Sequence, residues 1–224
     1  MFFKPETLQI NYSKKHKYVQ DRPNLVIGAS NARRTTPRGF DYARLPFLGG
    51  VEVEQVLKKI QTKPLWGTVF LHLGANSLFP SRNFWQGGIL HTHRSLREPA
   101  EITTDGYVRI LEALTGRARE VWIVPFYYRL HRKTCHCAEA ISYTVQYQDL
   151  IRTSLEADLK ARLSNLLSLP IHFLSFNSYT SLLLGPHLRA DVGICLDMDL
   201  VHLNHHAAEL VRGWITHTAG VGQN

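Results

Sequence analysis

The stretch NLVIGASNARR, residues 24–34, contains the pattern that decides the fold. Its apolar run follows Pro23 and ends abruptly at Gly28-Ala29-Ser30, as in a buried strand of a parallel sheet that stops at a turn. A strand that ends in Gly-x-Ser can place a serine hydroxyl at the carboxyl edge of the sheet, where open α/β sheets bind their ligands. The same residues also fit an ordinary turn before an ordinary helix, with Ser30 as the helix N-cap.

Apolar runs of this kind recur along the chain and predict five strands, at 24–28, 44–48, 67–73, 120–125 and 171–175. The third and fourth runs are strong, whereas the second is short and weak. Runs that are nearly continuous in apolar residues suit parallel strands that helices cover on both faces. The sequence therefore predicts a mostly parallel sheet inside a covering of helices.

Amphipathic periodicity predicts four helices between and after these strands, at 51–61, 105–118, 141–168 and 203–215. Alternation of strands and helices favours α/β architecture: a three-layer α/β/α sandwich around a doubly wound, five-stranded sheet. The sequence shows no internal repeat, low-complexity tract or interdomain linker. We expect one domain, preceded by a basic amino-terminal extension.

The stretch 79–104 departs from this alternation, because it contains prolines and paired glycines and has little periodicity. A loop of that length in a compact domain is usually a lid, a binding surface or disorder. It follows the third predicted strand directly, so we expect it to overhang the carboxyl edge of the sheet. Its aromatic and histidine residues either cover a bound acyl group or pack the loop down, namely Phe84, Trp85, His91 and His93.

Composition and length suit a soluble globular protein, with 224 residues, 44% hydrophobic and 20% charged. Lys4 and Glu6 interrupt the apolar start where a signal peptide would need its core. No run approaches the roughly 20 apolar residues of a membrane-spanning helix. Three cysteines suit a reducing compartment and cannot form a disulfide framework. We therefore expect an intracellular, cytoplasmic protein without a membrane span.

The segment HRKTCHCAEA brings His131, Cys135, His136 and Cys137 together, which raises the question of a metal site. A single residue separates the two cysteines, whereas zinc sites use a spacing of two to four, and no second ligand pair follows. An exposed loop with free thiols is the favoured interpretation, and we expect neither a metal nor a cofactor.

Positive charge is concentrated near the amino terminus. The chain carries a net charge of +8, and residues 1–44 contain nine Lys or Arg against three acidic residues. Such a segment attracts RNA or DNA through release of condensed counterions, although it could also serve solubility alone. The candidate nucleic-acid contacts are Lys14, Lys15, Lys17, Arg33 and Arg34.

Four short blocks should meet at one edge of a doubly wound sheet. Gly28-Ala29-Ser30 ends the first strand, Gly49-Gly50 follows the second, and GANS (74–77) ends the third. The fourth block, DLVHLN (199–204), leads into the final helix. Although they are distant in sequence, these blocks would surround one site at the carboxyl edge.

The residue types in these blocks are those that acyl transfer requires: a nucleophile, a base, a group that orients the base, and donors for the oxyanion. Ser30 would begin a helix, where free amide groups favour developing negative charge. Asp199 and His202 are three residues apart, so one turn puts both side chains on the same face. The carboxylate could then hold one imidazole nitrogen while the other faces Ser30.

At these residues the sequence resembles the SGNH (GDSL-type) hydrolases, over roughly residues 22–215. The resemblance implies an SGNH-like sheet of strand order 2-1-3-4-5, a right-handed crossover topology, and a domain spanning 23–218 after an extension of 1–22. It implies a Ser30–His202–Asp199 triad acting on a small acyl or acetyl ester. The oxyanion donors that it implies are the Ser30 amide, Gly50 and Asn76.

Two departures from the family pattern concern loops beside the site. The family's Asp before the nucleophile is Ala29 here, and its Asp after the Asn is Ser77. Neither residue belongs to the triad, so we expect a slow enzyme and not an inert one. The segment VHLNHHAAELV also looks like SGNH domains of LINE-type retrotransposons. More distantly, the chain is similar to the SGNH-like, RNA-binding domain of Oskar, which lacks the triad.

Each candidate residue has an alternative role. Ser30 could be only a helix N-cap and Asn76 only a turn residue, while Asp197 is a rival partner for His202. His205 and His206 are either solvated helix residues or, with His202, a weak hint of metal. Arg33 and Arg34 contact an anionic substrate or are plain surface charge. Two functions therefore stand: a serine esterase, and a weak or inactive SGNH-like module that binds RNA or DNA.

Overall fold

A five-stranded parallel sheet forms the centre of the computed structural model, in the order β2-β1-β3-β4-β5. The strands are β1 (Leu25–Gly28), β2 (Asp41–Arg44), β3 (Trp66–His72), β4 (Ala118–Ile123) and β5 (Ile171–Phe173). The structure describes residues 22–48, 50–63, 65–78, 97–130, 138–163, 168–185, 193, 195–199 and 201–220. The predicted fold class and strand order are confirmed.

Helices cover both faces of this sheet. They are α1 (Ser30–Thr35), α2 (Gly50–Gln61), α3 (Ala75–Leu78), α4 (Arg97–Leu114), α5 (Ala138–Leu163), α6 (Phe176–Leu184) and α7 (His205–Thr218). One apolar core lies between the sheet and α2, α4 and α5, and a second lies between the sheet and α1, α6 and α7. None of the described helices is both long and apolar enough to cross a membrane.

Alternation along the strands explains the two cores. On β1, Leu25 and Ile27 face the core of α2, α4 and α5, whereas Val26 faces the core of α1, α6 and α7. On β3, which is buried along its whole length, Leu71 and Phe70 divide in the same way. Because both faces need apolar residues, these strands are nearly continuous in apolar residues, which is the signal that the sequence shows.

The predicted second strand at 44–48 was wrong in position, because β2 occupies Asp41–Arg44. The edge strand pairs with β1 in the register Leu25↔Asp41 to Gly28↔Arg44, so its polar first residue is within the ladder. The apolar residues that follow, including buried Leu45 and Leu48, form a connection that contributes to the core without pairing as a strand.

The predicted loop at 79–104 was also wrong in its last part, because α4 begins at Arg97 and not near 105. Thr103 and Thr104 are buried in this added portion of the helix, so tertiary packing holds residues whose polarity gave no periodic signal. Residues 79–96 lie outside the described residues, and with them the aromatic and histidine residues expected there. The same holds for the Cys135–Cys137 loop.

A connection from β2 crosses the end of β1 and so frames the edge where Ser30 lies. It starts where the Leu45 amide donates to the Gly28 carbonyl at 2.8 Å, and it reaches α3, where the Leu48 amide donates to Ser77 Oγ at 2.8 Å. Gly28 itself must lack a side chain, since a Cβ there would lie 2.2 Å from the His72 carbonyl oxygen. The close approach of β1 and β3 therefore explains the glycine that ends the first strand.

Candidate active site

Ser30 is the first residue of α1 at the carboxyl end of β1, and its side chain is exposed. The N-cap of this helix is Ala29, which has no side-chain capping bond, so Ser30 is not the cap. Instead, Ser30 Oγ lies 2.6 Å from His202 Nε2, across 172 residues of sequence. This is the contact that a nucleophile and its general base require.

His202 also contacts Asp199, whose Oδ2 accepts from His202 Nδ1. Burial alone would raise the pKa of Asp199, but hydrogen bonds from the His202 side chain and from two backbone amides lower it well below its usual range. An ionised carboxylate only accepts hydrogen bonds, so Nδ1 carries the proton and Nε2 is free to accept from the Ser30 hydroxyl. The tautomer thus follows from the carboxylate.

The loop that carries this pair is not the helical turn that the spacing suggested, because α7 begins only at His205. Asp199 Oδ1 accepts from the backbone amides of Val201 and His202, both at 2.9 Å, which closes an Asx-type turn. An isolated bridge between Leu196 and Leu203 closes the base of the loop. Asp199 therefore shapes the loop and orients the imidazole with its two oxygens.

Asp197, the rival partner for His202, instead forms an ion pair with Arg34 through its carboxylate. Arg34 Nη1 donates to Asp197 Oδ2 at 2.9 Å and also to the Leu203 carbonyl at 2.7 Å. The hydrogen bond from Arg34 holds the pKa of Asp197 below its ordinary value. The guanidinium of Arg34 thus connects α1 to the loop of Asp199 and His202.

Asn31 makes a second connection between α1, the helix of Ser30, and this loop. Its Oδ1 accepts from the Leu203 amide at 3.0 Å, and its Nδ2 lies 3.4 Å from the Val201 carbonyl. Asn31 is adjacent to Ser30 in sequence, and Val201 is adjacent to His202. The carboxamide therefore helps to set the distance between the two groups that would exchange a proton. No pattern in the sequence indicated this role of Asn31.

The expected oxyanion donors lie on the neighbouring connections. Gly50 begins α2 with φ 61°, a left-handed conformation that favours glycine, at the end of the connection that crosses β1. Asn76 lies on α3 beyond the end of β3, the strand next to β1. Both residues are at the carboxyl edge together with Ser30. Gly49 lies outside the described residues.

Arg129 is a site residue that the sequence analysis missed. Its Nη2 donates to Asn76 Oδ1. Burial lowers the pKa of Arg129 to about 10, and the nearby Asp199 carboxylate counteracts this by raising it. One partly buried cation therefore lies beside an expected oxyanion donor and close to the Asp199 carboxylate. Arg129 lies after β4, in a segment that has neither periodicity nor a motif, so nothing in the sequence indicated it.

Other contacts hold the loops at the two positions where the family pattern has an Asp. Tyr42 donates its hydroxyl to the carbonyls of Gly28 at 2.9 Å and Ala29 at 3.0 Å, which fixes the turn before Ser30. Ser77 Oγ accepts from the Leu48 amide and so holds the connection that leads to Gly50. The turns beside the site are thus held despite both replacements.

The remaining candidates divide between exposed positions and undescribed ones. Arg33 is exposed on the last turn of α1, and His205 and His206 are exposed on the first turn of α7. In the described part of the chain, no group of three or more His, Cys, Asp or Glu side chains could hold a metal ion. The candidate nucleic-acid contacts Lys14, Lys15 and Lys17 lie outside the described residues.

A second histidine, His72 at the end of β3, also lies between two hydroxyls. Its Nδ1 is 3.4 Å from Thr35 Oγ1, and its Nε2 is 3.5 Å from the Tyr179 hydroxyl. His72 is only 3% exposed, and burial lowers its pKa to about 4. It is therefore a neutral histidine of the core between the sheet and the helices α1 and α6.

The fold and this geometry together define a class of protein: a doubly wound α/β sandwich with serine, histidine and aspartate in one chain of contacts at the carboxyl edge of its sheet. Among solved structures, the chain is similar to a GDSL-like lipase from Bacteroides thetaiotaomicron. The TM-score is 0.50 and the sequence identity 10%, over 89% of this chain and 87% of that one. At this identity the likeness shows the GDSL-like fold alone. It gives no support to the resemblance to retrotransposon or Oskar domains, which stays a prediction.

Comparisons of the sequence give nothing further. No family model matches the chain, and no curated protein matches it. The geometry of the site is therefore what indicates a function.

Proposed function

We propose that the chain is a serine ester hydrolase of the SGNH type that acts on a small acyl or acetyl ester. One observation carries the proposal: Ser30 Oγ lies 2.6 Å from His202 Nε2, while Asp199 holds the other imidazole nitrogen. A serine alone is a weak nucleophile, and a hydrogen-bonded imidazole of the correct tautomer is what activates it. This arrangement is built from three residues on two distant segments.

In this mechanism, Ser30 Oγ attacks the ester carbonyl carbon as His202 Nε2 takes its proton. The carbonyl becomes an oxyanion, for which the backbone amides of Ser30 and Gly50 and the side chain of Asn76 are the proposed donors. The alkoxide then leaves with the proton from His202, so Ser30 carries the acyl group. Water, deprotonated by His202, releases the acid and restores the hydroxyl. Asp199 stabilises the imidazolium that forms twice in each cycle.

Turnover of short-chain nitrophenyl esters tests this proposal. We expect the wild-type protein to hydrolyse them and Ser30→Ala to lose at least about 10³-fold in kcat, since members of a triad act as a unit. Ser178→Ala is the matched control, because Ser178 is an exposed serine on α6 whose Oγ contacts only Ser175 in the described structure. A fluorophosphonate probe should label the wild type and not Ser30→Ala. Equal turnover by wild type and Ser30→Ala would contradict the proposal.

We propose RNA or DNA binding as a second function, supported by the excess of positive charge in residues 1–44. Phosphate contacts release counterions, so binding should weaken steeply with salt and depend little on sequence. The proposed division of the chain, a basic extension 1–22 before a domain 23–218, gives the test. Deletion of 1–22 should weaken filter binding at low salt and leave ester turnover intact. Unchanged affinity after the deletion would contradict the role of the extension.

A further inference from the structure

Arg129 is the one described cation that contacts an expected oxyanion donor. Its Nη2 donates to Asn76 Oδ1. A guanidinium has donors only, so the atom of Asn76 that faces it must be the carbonyl oxygen and not the amide nitrogen. The contact thereby fixes which end of the Asn76 carboxamide is turned away from Arg129. That end is Nδ2, the only part of this side chain that can donate to an oxyanion.

The backbone of Arg129 is hydrogen-bonded to α5 through both its amide and its carbonyl. Gln148, which is fully buried, accepts from the Arg129 amide at 3.0 Å and donates to the Arg129 carbonyl at 2.7 Å. Further polar contacts follow within about one turn of α5: Asp149 accepts from the Tyr128 hydroxyl at 2.8 Å, and Arg152 donates to the Phe126 carbonyl at 3.0 Å. Hydrogen bonds from α5 therefore fix the backbone position from which the Arg129 side chain extends to Asn76.

We infer that Arg129 is a positioning residue that orients the Asn76 carboxamide for oxyanion stabilisation, an inference that rests on the proposed esterase function. Without it, Asn76 could rotate by half a turn and present its carbonyl oxygen to the developing negative charge. An oxyanion donor acts only in the transition state, so the orientation should affect kcat and leave substrate binding unchanged.

Steady-state kinetics of Arg129→Met test the inference, because methionine keeps much of the volume and removes every donor. We expect kcat to fall about 10- to 100-fold with KM changed less than about threefold, which is less than the roughly 10²- to 10³-fold cost expected for Asn76→Ala. Arg129→Lys should restore part of kcat, since an ammonium also donates to Oδ1. Arg109→Met is the control: Arg109 is a half-exposed arginine on α4 whose described partner is Glu54.

A double variant separates positioning from other roles. In the Asn76→Ala background, Arg129→Met should cost no further activity, because the group that it positions is gone. A further loss in that background would overturn the inference, since it would show that Arg129 acts through Asp199, through the fold or directly on the substrate. A rise in KM with unchanged kcat would overturn it in favour of direct substrate binding.

A measurement that does not use turnover keeps this inference distinct from the proposed function. The ¹⁵N order parameter of the Asn76 side-chain amide should be about 0.8 in the wild type and should fall below about 0.6 in Arg129→Met. If the wild type hydrolyses no ester while the order parameter still falls, the proposed function fails and the positioning by Arg129 stands. If the order parameter is unchanged, the positioning itself is refuted.

Discussion

Among the histidines that the structure describes, His202 and His72 lie beside hydroxyl groups, and of these two only His202 has the contacts that a general base needs. His202 contacts Ser30 Oγ at 2.6 Å and an ionised carboxylate on its other nitrogen, with 26% of its side chain exposed. His72 contacts Thr35 and Tyr179 at 3.4 and 3.5 Å and is 3% exposed. In the sequence, both are histidines between two apolar residues, Leu71 and Leu73 for His72 and Val201 and Leu203 for His202.

The difference lies in what each imidazole could do with a second proton. A proton on His202 would be stabilised by the Asp199 carboxylate and by solvent. A second proton on His72 would place a charge in the core, without a carboxylate among its described contacts to stabilise it. Burial therefore lowers the pKa of His72 to about 4. Thr35 already directs its hydroxyl toward the carbonyls of Asn31 and Ala32, both at 3.1 Å. A hydroxyl beside a histidine therefore indicates catalysis only where an acid and access to solvent accompany it.

Asp199→Asn should remove the feature that distinguishes the two sites and have the largest effect. The asparagine Oδ1 can still accept from the Val201 and His202 amides, so the turn should survive. Its Nδ2, however, is a donor facing Nδ1, which favours the wrong tautomer and leaves Nε2 unable to accept from Ser30. We expect kcat for nitrophenyl esters to fall about 10⁴-fold with the thermal midpoint nearly unchanged.

His72→Gln is the comparison for that variant, because it changes the other histidine of the pair. It should alter ester kcat by less than about threefold, since His72 contacts neither the substrate space nor the proposed donors. A loss from His72→Gln as large as that from Asp199→Asn, in a protein that stays folded, would break the distinction between the two histidines.

Stability should depend on pH through His72. Its pKa is about 4 when folded and near 6.5 when unfolded, so between these values the unfolded chain binds more protons. The stabilising contribution of neutral His72 to the free energy of unfolding is then complete above about pH 6.5, and it decreases as the pH falls toward 4. This difference in pKa corresponds to a loss of roughly 3 kcal/mol in the free energy of unfolding when the pH falls from above 6.5 to below 4. Urea unfolding at several pH values measures the slope, which should be shallower in His72→Gln.

An NMR titration checks the same point without a substitution. The ring resonances of His72 should stay constant from pH 7 to about pH 5, because the imidazole remains neutral there. Titration of His72 near its ordinary value, or an equal slope of stability in wild type and His72→Gln, would show that burial does not control this group.

Much of the fold could be predicted because its signals are local and repeated. Strands such as β3 are apolar on both faces, and Gly28 marks the place where β1, His72 and α1 meet too closely for a side chain. The position of β2 could not be predicted, because an edge strand begins at polar Asp41 and the more apolar residues after it form a connection. The early start of α4 depends on tertiary burial of Thr103 and Thr104, which periodicity does not report.

The candidate site shows the same division. Ser30, Asp199 and His202 could be proposed because each belongs to a short block of characteristic spacing, and the structure brings them together. Their catalytic roles stay predictions. Arg129 and the connecting role of Asn31 could not be found in the sequence, because both act through contacts between distant segments. Arginine and asparagine are also common at positions that have no such role. Sequence patterns thus indicated the proposed reacting groups and not the residues that hold them in place.

A smaller loss than that of Asp199→Asn should follow from loosening the loop that holds His202, because side chains anchor this loop whereas His72 is part of a strand. Arg34→Gln removes the charged contacts to Asp197 and Leu203 and should lower kcat/KM about tenfold, a value typical of a partly exposed charged hydrogen bond. Arg33→Gln, one residue away and exposed, should leave ester turnover unchanged, because no described contact ties it to the loop. If the two variants behave alike, the loop of Asp199 and His202 holds its geometry without Arg34, and the contrast between an anchored and a strand-borne histidine loses its basis.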